Sequence, residues 1–312
     1  MQKALQLYTL LLASFLTIIF FASYYSGEAA AGRPDAEREE ASALAQVIKP
    51  IDLNRPFDFA GEALPMDNFD VRERLDRELL INTYWHSTTM LHLKNMYKYF
   101  PVFEKILAAN DIPDDFKYLA VAESSLRNAV SPAGAKGIWQ FVKGTGAHYG
   151  LEINEEVDER YHTEKATEAA CKYIKDYKKK FGNWTLAAAA YNMGGPRLSK
   201  ELTAQHANNY YDLNLNEETS RYVFRLVATK EVMRKPAEFG FYLEEKDGYP
   251  PLNDYEIVEV SSTIESLADF AAKHQISYRM LKVYNPWLIS TKLTNKTGKT
   301  YQIKIPKKAL KK

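Results

Sequence analysis

The stretch from Ile112 to Phe141, IPDDFKYLAVAESSLRNAVSPAGAKGIWQF, restricts what this chain can fold into more than any other. Pro113 suits the first turn of a helix, where its missing N–H costs nothing, and Asp114 and Asp115 favour the positive end of the helix dipole. Phe116, Leu119, Ala120 and Glu123 follow at i, i+3, i+4 and i+7, so they share one helical face. Such a stripe packs against other elements, yet its last member is a carboxylate. Burial disfavours the charged form of a carboxyl group, and so does the C-terminal end of a helix. Both effects raise the pKa above the usual ~4.3, toward the range where a general acid works near neutrality. The other reading is a helix that simply ends at Glu123, with its carboxylate turned to solvent.

Ser124-Ser125 ends that helix. Asn128, Ser131-Pro132, Gly134 and Gly137 then supply turn residues ahead of Ile138-Trp139-Gln140-Phe141. Further along stand Ala190-Tyr191-Asn192-x-Gly194, and Glu218-Thr219 with Arg221-Tyr222-Val223. Together with Glu123-Ser124 and Ser131-Pro132-x-Gly134-Ala135-x-Gly137-x-Trp139-Gln140-Phe141, this ordered set resembles the catalytic core of lytic transglycosylases. These are lysozyme-like enzymes that cleave peptidoglycan glycan strands. The most similar subgroup is the membrane-bound type D, which pairs this domain with C-terminal lysin motifs. Trp139 stands where many relatives carry methionine, a change shared with that subgroup.

A chain of 312 residues suggests two folded units. Its 41 basic residues nearly balance 40 acidic ones, which points away from a nucleic-acid partner. The 21 tyrosines suit sugar binding and a helical core equally well, so composition does not decide between them. Leu7 to Ala22 is an apolar run preceded by Lys3. Its length falls between a signal-peptide core and a full span, so residues 1–26 read as a signal peptide or a membrane anchor. Either way the rest of the chain is expected to be exported to the periplasm or cell envelope, held at the membrane if the segment is retained. Residues 27–50 are polar and read as a flexible tether. Cys171 has no cysteine partner and sits beside Ala170 and Ile174, as a small buried apolar residue does.

The body of the chain reads as mainly α: a lysozyme-like catalytic domain over residues 51–236, a connector over 237–253, and a small βααβ unit over 254–306. Helical spacing runs through Asp70 to Trp85 and Thr88 to Asn110, with Leu75, Leu79, Leu91, Met96, Tyr99 and Phe103 as packing residues. Thr163 to Phe181 lines one face with Ala166, Ala169, Ala170, Tyr173, Ile174 and Tyr177, and Trp184 to Met193 carries a run of small residues. Tyr222, Val223, Leu226 and Val227 give another buried face before Pro236. Lys143 to Gly150 mimics a dinucleotide fingerprint, but its third glycine is misplaced and no strand leads into it. His148 has no partner at metal-ligand spacing. No cofactor and no metal are expected.

Beyond Asp254 the pattern changes. Tyr255, Ile257 and Glu259 alternate as a strand, Ser262-x-x-Glu265 reads as a capping box, Ser277 opens a second helix, and Tyr301, Ile303 and Ile305 close as a strand. This order resembles a lysin motif (LysM), which binds N-acetylglucosamine-containing glycans. Ser261-Ser262-Thr263 replaces the usual Gly-Asp-Thr and the 286–300 loop is long, so the fold carries over better than the sugar binding. A module that folds and detaches by itself is expected.

The resemblance implies a chemistry and a partner, the N-acetylmuramic acid–N-acetylglucosamine strands of peptidoglycan; it names no protein partner. Glu123 would act as acid and then as base. Ser131 and Gln140 would bind substrate and hold the carboxyl group, Tyr191 and Asn192 would line the opposite wall, and Tyr222 would close the site. From Ser124 through Leu151 there is no Asp or Glu, which favours a non-hydrolytic reaction over one needing two carboxylates. A lysozyme-type hydrolase and an inactive wall-binding scaffold are the alternatives.

Overall fold

The computed structural model describes residues 49–307. The expected signal or anchor, and all but the end of the tether, lie outside the described residues. Among the described residues no helix is long and apolar enough to cross a membrane.

A short antiparallel hairpin, β1 (Asp58–Phe59) with β2 (Glu62–Ala63), opens the folded part. Helix α1 (Phe69–Tyr84) is capped by the Asn68 side chain, which accepts from the Asp70 N–H, and buries Val71, Leu75 and Leu79. Helix α2 (His86–Ala109) buries Leu93, Phe100, Phe103 and Leu107. Leu91, expected in that stripe, is 48% exposed; two positions from Leu93, it falls on the far side of a helix.

Helix α3 (Lys117–Ser124) is shorter than its sequence suggests. Asp114–Phe116 forms a 3-10 turn that leads into it, as is frequent at a helix N-terminus, and Asp115 in that turn is held in place. Its carboxylate accepts from the Ala60 N–H and from the buried Lys230 ammonium, both at 2.7 Å. Phe116, Leu119 and Ala120 are fully buried, as their spacing requires. The helix stops at Ser125, whose backbone is left-handed.

Helices α4 (Lys143–His148), α5 (Thr163–Phe181), α6 (Trp184–Met193), α7 (Gly195–Ala204) and α8 (Glu217–Arg234) complete the larger unit. Asn183 caps α6 at 2.7 Å, and the Glu62 carboxylate accepts from its Trp184 and Thr185 N–H groups at 2.6 and 2.8 Å. The side chains of α6 from Leu186 to Ala190 are all buried. Helix α8 is buried along most of its length and packs on α1, α3 and α6. Around it lies one core containing Phe103, Phe116, Trp139 and Phe224. Cys171 is buried within α5, and burial pushes its thiol up to about 12.

Residues 237–253 are not a slack linker. Phe239 and Phe241 enter the main core, and the Tyr249 N–H donates to the Lys94 carbonyl at 2.9 Å. Strand β3 (Tyr255–Val260), helices α9 (Leu267–Lys273) and α10 (Tyr278–Tyr284), and strand β4 (Tyr301–Pro306) then form the βααβ unit. Its strands pair antiparallel from Tyr255↔Pro306 to Val260↔Tyr301. Two local expectations change. In β3 it is Val258 and Val260 that turn toward the unit's core, and Ile257 is 50% exposed. The cap of α9 is Ser266, whose hydroxyl accepts from the Asp269 N–H, so Ser262 is not the cap. The unit's core also contains Val157, from the loop ahead of α5.

Candidate active site

Glu123 occupies the last turn of α3, where the apolar stripe ends. Because α8 packs on α3, it brings Tyr222 alongside from 99 residues further on, and the phenol donates to Glu123 Oε1 at 2.5 Å. The Glu123 side chain is half-buried. Burial raises its pKa to about 7, the like charge of Glu218 adds to the rise, and the Tyr222 hydrogen bond and Arg225 pull it back. The stripe therefore ends in a held carboxyl, not one turned to bulk solvent. Burial and the neighbouring carboxylate hold the Tyr222 phenol well above its ordinary value, so it remains a donor. One carboxyl oxygen is engaged by that donor.

The hydrogen bond predicts its own signature. A donor to a carboxylate favours the charged form. Tyr222→Phe therefore moves the Glu123 titration from about 7 to higher pH, by roughly one pH unit for a bond to a charged group. A carbon-13 NMR titration of labelled glutamate reads this without reference to activity. An unmoved midpoint contradicts the assigned bond.

Tyr191 lies in the last turns of α6, and its hydroxyl donates to the Trp139 carbonyl at 2.7 Å. Burial and the charge of Glu123 hold this phenol well up too. Its ring lies 5.0 Å from that of Tyr173 and 6.2 Å from that of Phe141. Tyr173 and Tyr177 share a hydrogen bond at 2.8 Å, and the Tyr177 oxygen accepts from the Gly195 N–H at 2.9 Å. Tyr173 also feels the charge of Glu123. The spacing of Tyr173 and Tyr177 predicts packing on one face, and they do pack. What that spacing does not report is their hydroxyls, four residues apart on one face, where aliphatic side chains would fill the same space.

Ser131 and Gln140 lie in the loop between α3 and α4. Ser124 ties that loop to the acid's helix: its hydroxyl is 2.9 Å from the Ile138 carbonyl and 3.1 Å from that of Ala120. The Ser131 hydroxyl accepts from the Ala135 N–H at 3.0 Å, and Lys136 and Phe141 exchange backbone bonds. Gln140 Nε2 donates to the carbonyls of Ala129 and Gly137 at 3.1 and 2.8 Å. Both its amide hydrogens are thus spent on the loop, leaving the side-chain oxygen for a ligand. Asn192, half-buried at the end of α6, makes no side-chain hydrogen bond among the described residues. The structure thus joins Glu123 directly to Tyr222 and brings Tyr191 within electrostatic reach. Ser131, Gln140 and Asn192 form no hydrogen bond to the acid.

Other carboxylates are accounted for. Glu152 is engaged with Asn154, Tyr301 and Lys299 at the βααβ unit. Glu218 is exposed in the first turn of α8, where the dipole favours it. No group of three or more His, Cys, Asp or Glu suited to a metal occurs among the described residues. Two cavities, of about 970 and 600 Å³, lie elsewhere: one between α2 and residues 244–251, the other between His162, Glu164, Trp287 and Tyr301. Neither is lined by Glu123.

Residues 100–214 match the family described as the transglycosylase SLT domain, and residues 256–309 match the soluble lytic transglycosylase C-terminal LysM-like domain. Membrane-bound lytic murein transglycosylase D of Escherichia coli K12 is 30% identical over 259 residues, which is 80% of this chain and 55% of that protein. The protein of the same name from Escherichia coli O6:H1 (strain CFT073) matches to the same extent. The chain spans about half the length of these curated relatives. The crystal structure of the 70 kDa soluble lytic transglycosylase SLT70 from Escherichia coli aligns at 23% identity and a TM-score of 0.39, over 47% of this chain and 26% of that one.

Proposed function

We propose that this chain, whose residues 100–214 match the transglycosylase SLT domain and whose residues 256–309 match the soluble lytic transglycosylase C-terminal LysM-like domain, is a peptidoglycan lytic transglycosylase with Glu123 as acid and base. The observation that carries this reading is a single carboxyl group with a pKa near 7, held by Tyr222. At neutral pH such a group is present in both forms, so it gives and takes a proton without large cost. Protonated Glu123 donates to the glycosidic oxygen between N-acetylmuramic acid and N-acetylglucosamine as the bond to C1 breaks. The muramyl N-acetyl group or the developing oxocarbenium ion carries the positive charge. The carboxylate then takes the proton of the C6 hydroxyl, whose oxygen bonds to C1. The product is a 1,6-anhydro ring, and the enzyme ends with the proton it began with.

Tyr191, Asn192, Ser131 and the Gln140 oxygen supply the sugar contacts in this scheme. Residues 51–236 perform the cleavage, and residues 254–306 form the LysM-like unit. The apolar segment within residues 1–26, as signal or anchor, sends the chain to the periplasmic side of the envelope or holds it at the membrane there. The test is the product. Digestion of purified sacculi should yield muramic ends that borohydride does not reduce, each lighter by one water than a hydrolytic end. Reducible muramic ends as the main product would assign the protein to the lysozyme-type hydrolases.

A further inference from the structure

The βααβ unit meets the larger unit along one acidic segment, residues 152–164. Val157 pairs with Leu288, flanked by Asp158 N–H to the Trp287 carbonyl at 2.9 Å and Ile289 N–H to the Glu156 carbonyl at 3.0 Å. Val157 is 1% exposed, inside the core of the C-terminal unit. The Glu156 carboxylate accepts from the Thr294 N–H and hydroxyl at 2.5 and 3.0 Å. Glu152 accepts from the Tyr301 hydroxyl at 2.9 Å and from Lys299, and Glu164 pairs with Lys304. This junction is a continuation of the C-terminal fold, not a loose contact.

The other side of the same segment holds the loop that carries Ser131 and Gln140. Asp158 and Arg160 are both buried. Arg160 Nε and Nη2 grip the Asp158 carboxylate at 2.8 and 2.7 Å, and Nη1 donates to the carbonyls of Gly134 and Phe141 at 3.3 and 3.2 Å. Lys136 stands 3.6 Å from the same carboxylate. Gly137 lies so close on the Arg160 carbonyl that a Cβ there would fall 1.9 Å from its oxygen. One three-residue run is therefore clasped by the C-terminal unit and clasps the loop in turn.

We propose that the C-terminal unit is a positioning element for the active-site loop, with Asp158 and Arg160 as the positioning residues that transmit its hold. The proposal rests on the reading of the Glu123 site as catalytic. The buried guanidinium is a rigid fork, so where it places the carbonyls of Gly134 and Phe141 depends on where Asp158 is fixed. The backbone of Asp158 is fixed by Trp287. Releasing the unit lets the run shift and the loop with it. Small misplacements of substrate-holding groups cost turnover even when binding survives.

The experiment uses the full chain. Glu152→Lys with Glu164→Lys sets lysines against Lys299 and Lys304, and adding Lys299→Glu with Lys304→Glu restores opposite charges. In the double variant, amide hydrogen exchange should rise at residues 285–289 and at residues 134–141. On a soluble glycan fragment too short to reach the C-terminal unit, kcat should fall roughly tenfold while KM moves by less than about twofold. The quadruple variant should regain most of both. Faster exchange at 285–289 with 134–141 and kcat unchanged would overturn the proposal. So would a loss that the quadruple variant fails to regain, because that loss is local. Linked exchange at the two segments in a chain that cleaves no glycan would leave the coupling standing and remove the enzymatic reading instead.

Discussion

Glu123→Gln should keep the fold and lose glycan cleavage by roughly a hundredfold to ten-thousandfold, the span of general acid–base catalysis. The upper end is expected, because one group serves both proton transfers and an amide of the same shape serves neither. The fold should survive because the position is already half-buried beside a hydroxyl donor, which a glutamine oxygen also accepts from. Its stability should change with pH in a defined direction. The folded-state pKa of about 7 lies above the ordinary 4.5. Stability from the protonated carboxyl is therefore complete below pH 4.5 and lost as pH rises through about 7. Glutamine does not ionise, so the variant should match the parent in acid and exceed it at pH 8, by up to about 3 kcal/mol. Thermal unfolding at the two pH values measures this. A variant that keeps more than about a tenth of the parent's rate refutes the role of Glu123.

Gly137→Ala should be the most damaging single methyl in the loop between α3 and α4. Gly137 has φ +81°, where an L side chain is strained, and the added carbon would lie 1.9 Å from the Arg160 carbonyl oxygen. The obstacle is backbone, so no side chain can turn aside. Strain of about 1–3 kcal/mol and overpacking of about 1–3 kcal/mol apply together. The alternative is that the loop lifts off Arg160, which disturbs Gln140 and Ser131. A drop in melting temperature with turnover reduced roughly a hundredfold is expected. Gly134→Ala is the control, since it shares the positive φ but meets nothing within 4 Å; it should show the strain cost alone. Equal effects of the two substitutions would show that the contact with Arg160 does not matter.

The parts that were legible in the sequence are those fixed by local periodicity. Phe116, Leu119 and Ala120 announced their buried face, Thr163 to Phe181 announced a helix with the observed ends, and Ser277 announced its cap. What spacing cannot report is which remote element arrives on a face. Only the family resemblance points to Tyr222, since nothing local ties it to a glutamate 99 positions earlier. The stripe of Tyr173 and Tyr177 predicts packing alone, because a stripe reveals which face is buried, not what its hydroxyls meet. In β3 both alternating sets contain apolar residues, so Tyr255 and Ile257 competed with Val258 and Val260, and only the pairing with β4 decides. Val157 is a single valine in an acid-rich loop, with no repeat to mark it; its partner Leu288 lies in the other unit. For that reason the sequence pattern alone predicts a detachable C-terminal unit, whereas its core borrows Val157 from the larger one.

In the proposed reaction C1 is captured by the sugar's own C6 hydroxyl, with no water consumed. A bound hydroxyl has a large effective concentration over solvent, and the hydrogen bonds of Glu123 include no second carboxylate. Digestion of purified sacculi in oxygen-18 water, followed by mass analysis of the newly formed muramic ends, tests this most directly. The expected products are 1,6-anhydro-N-acetylmuramic acid ends without label. Label in most of those ends would contradict it, and Glu218 would become the first carboxylate to test as the group that activates water.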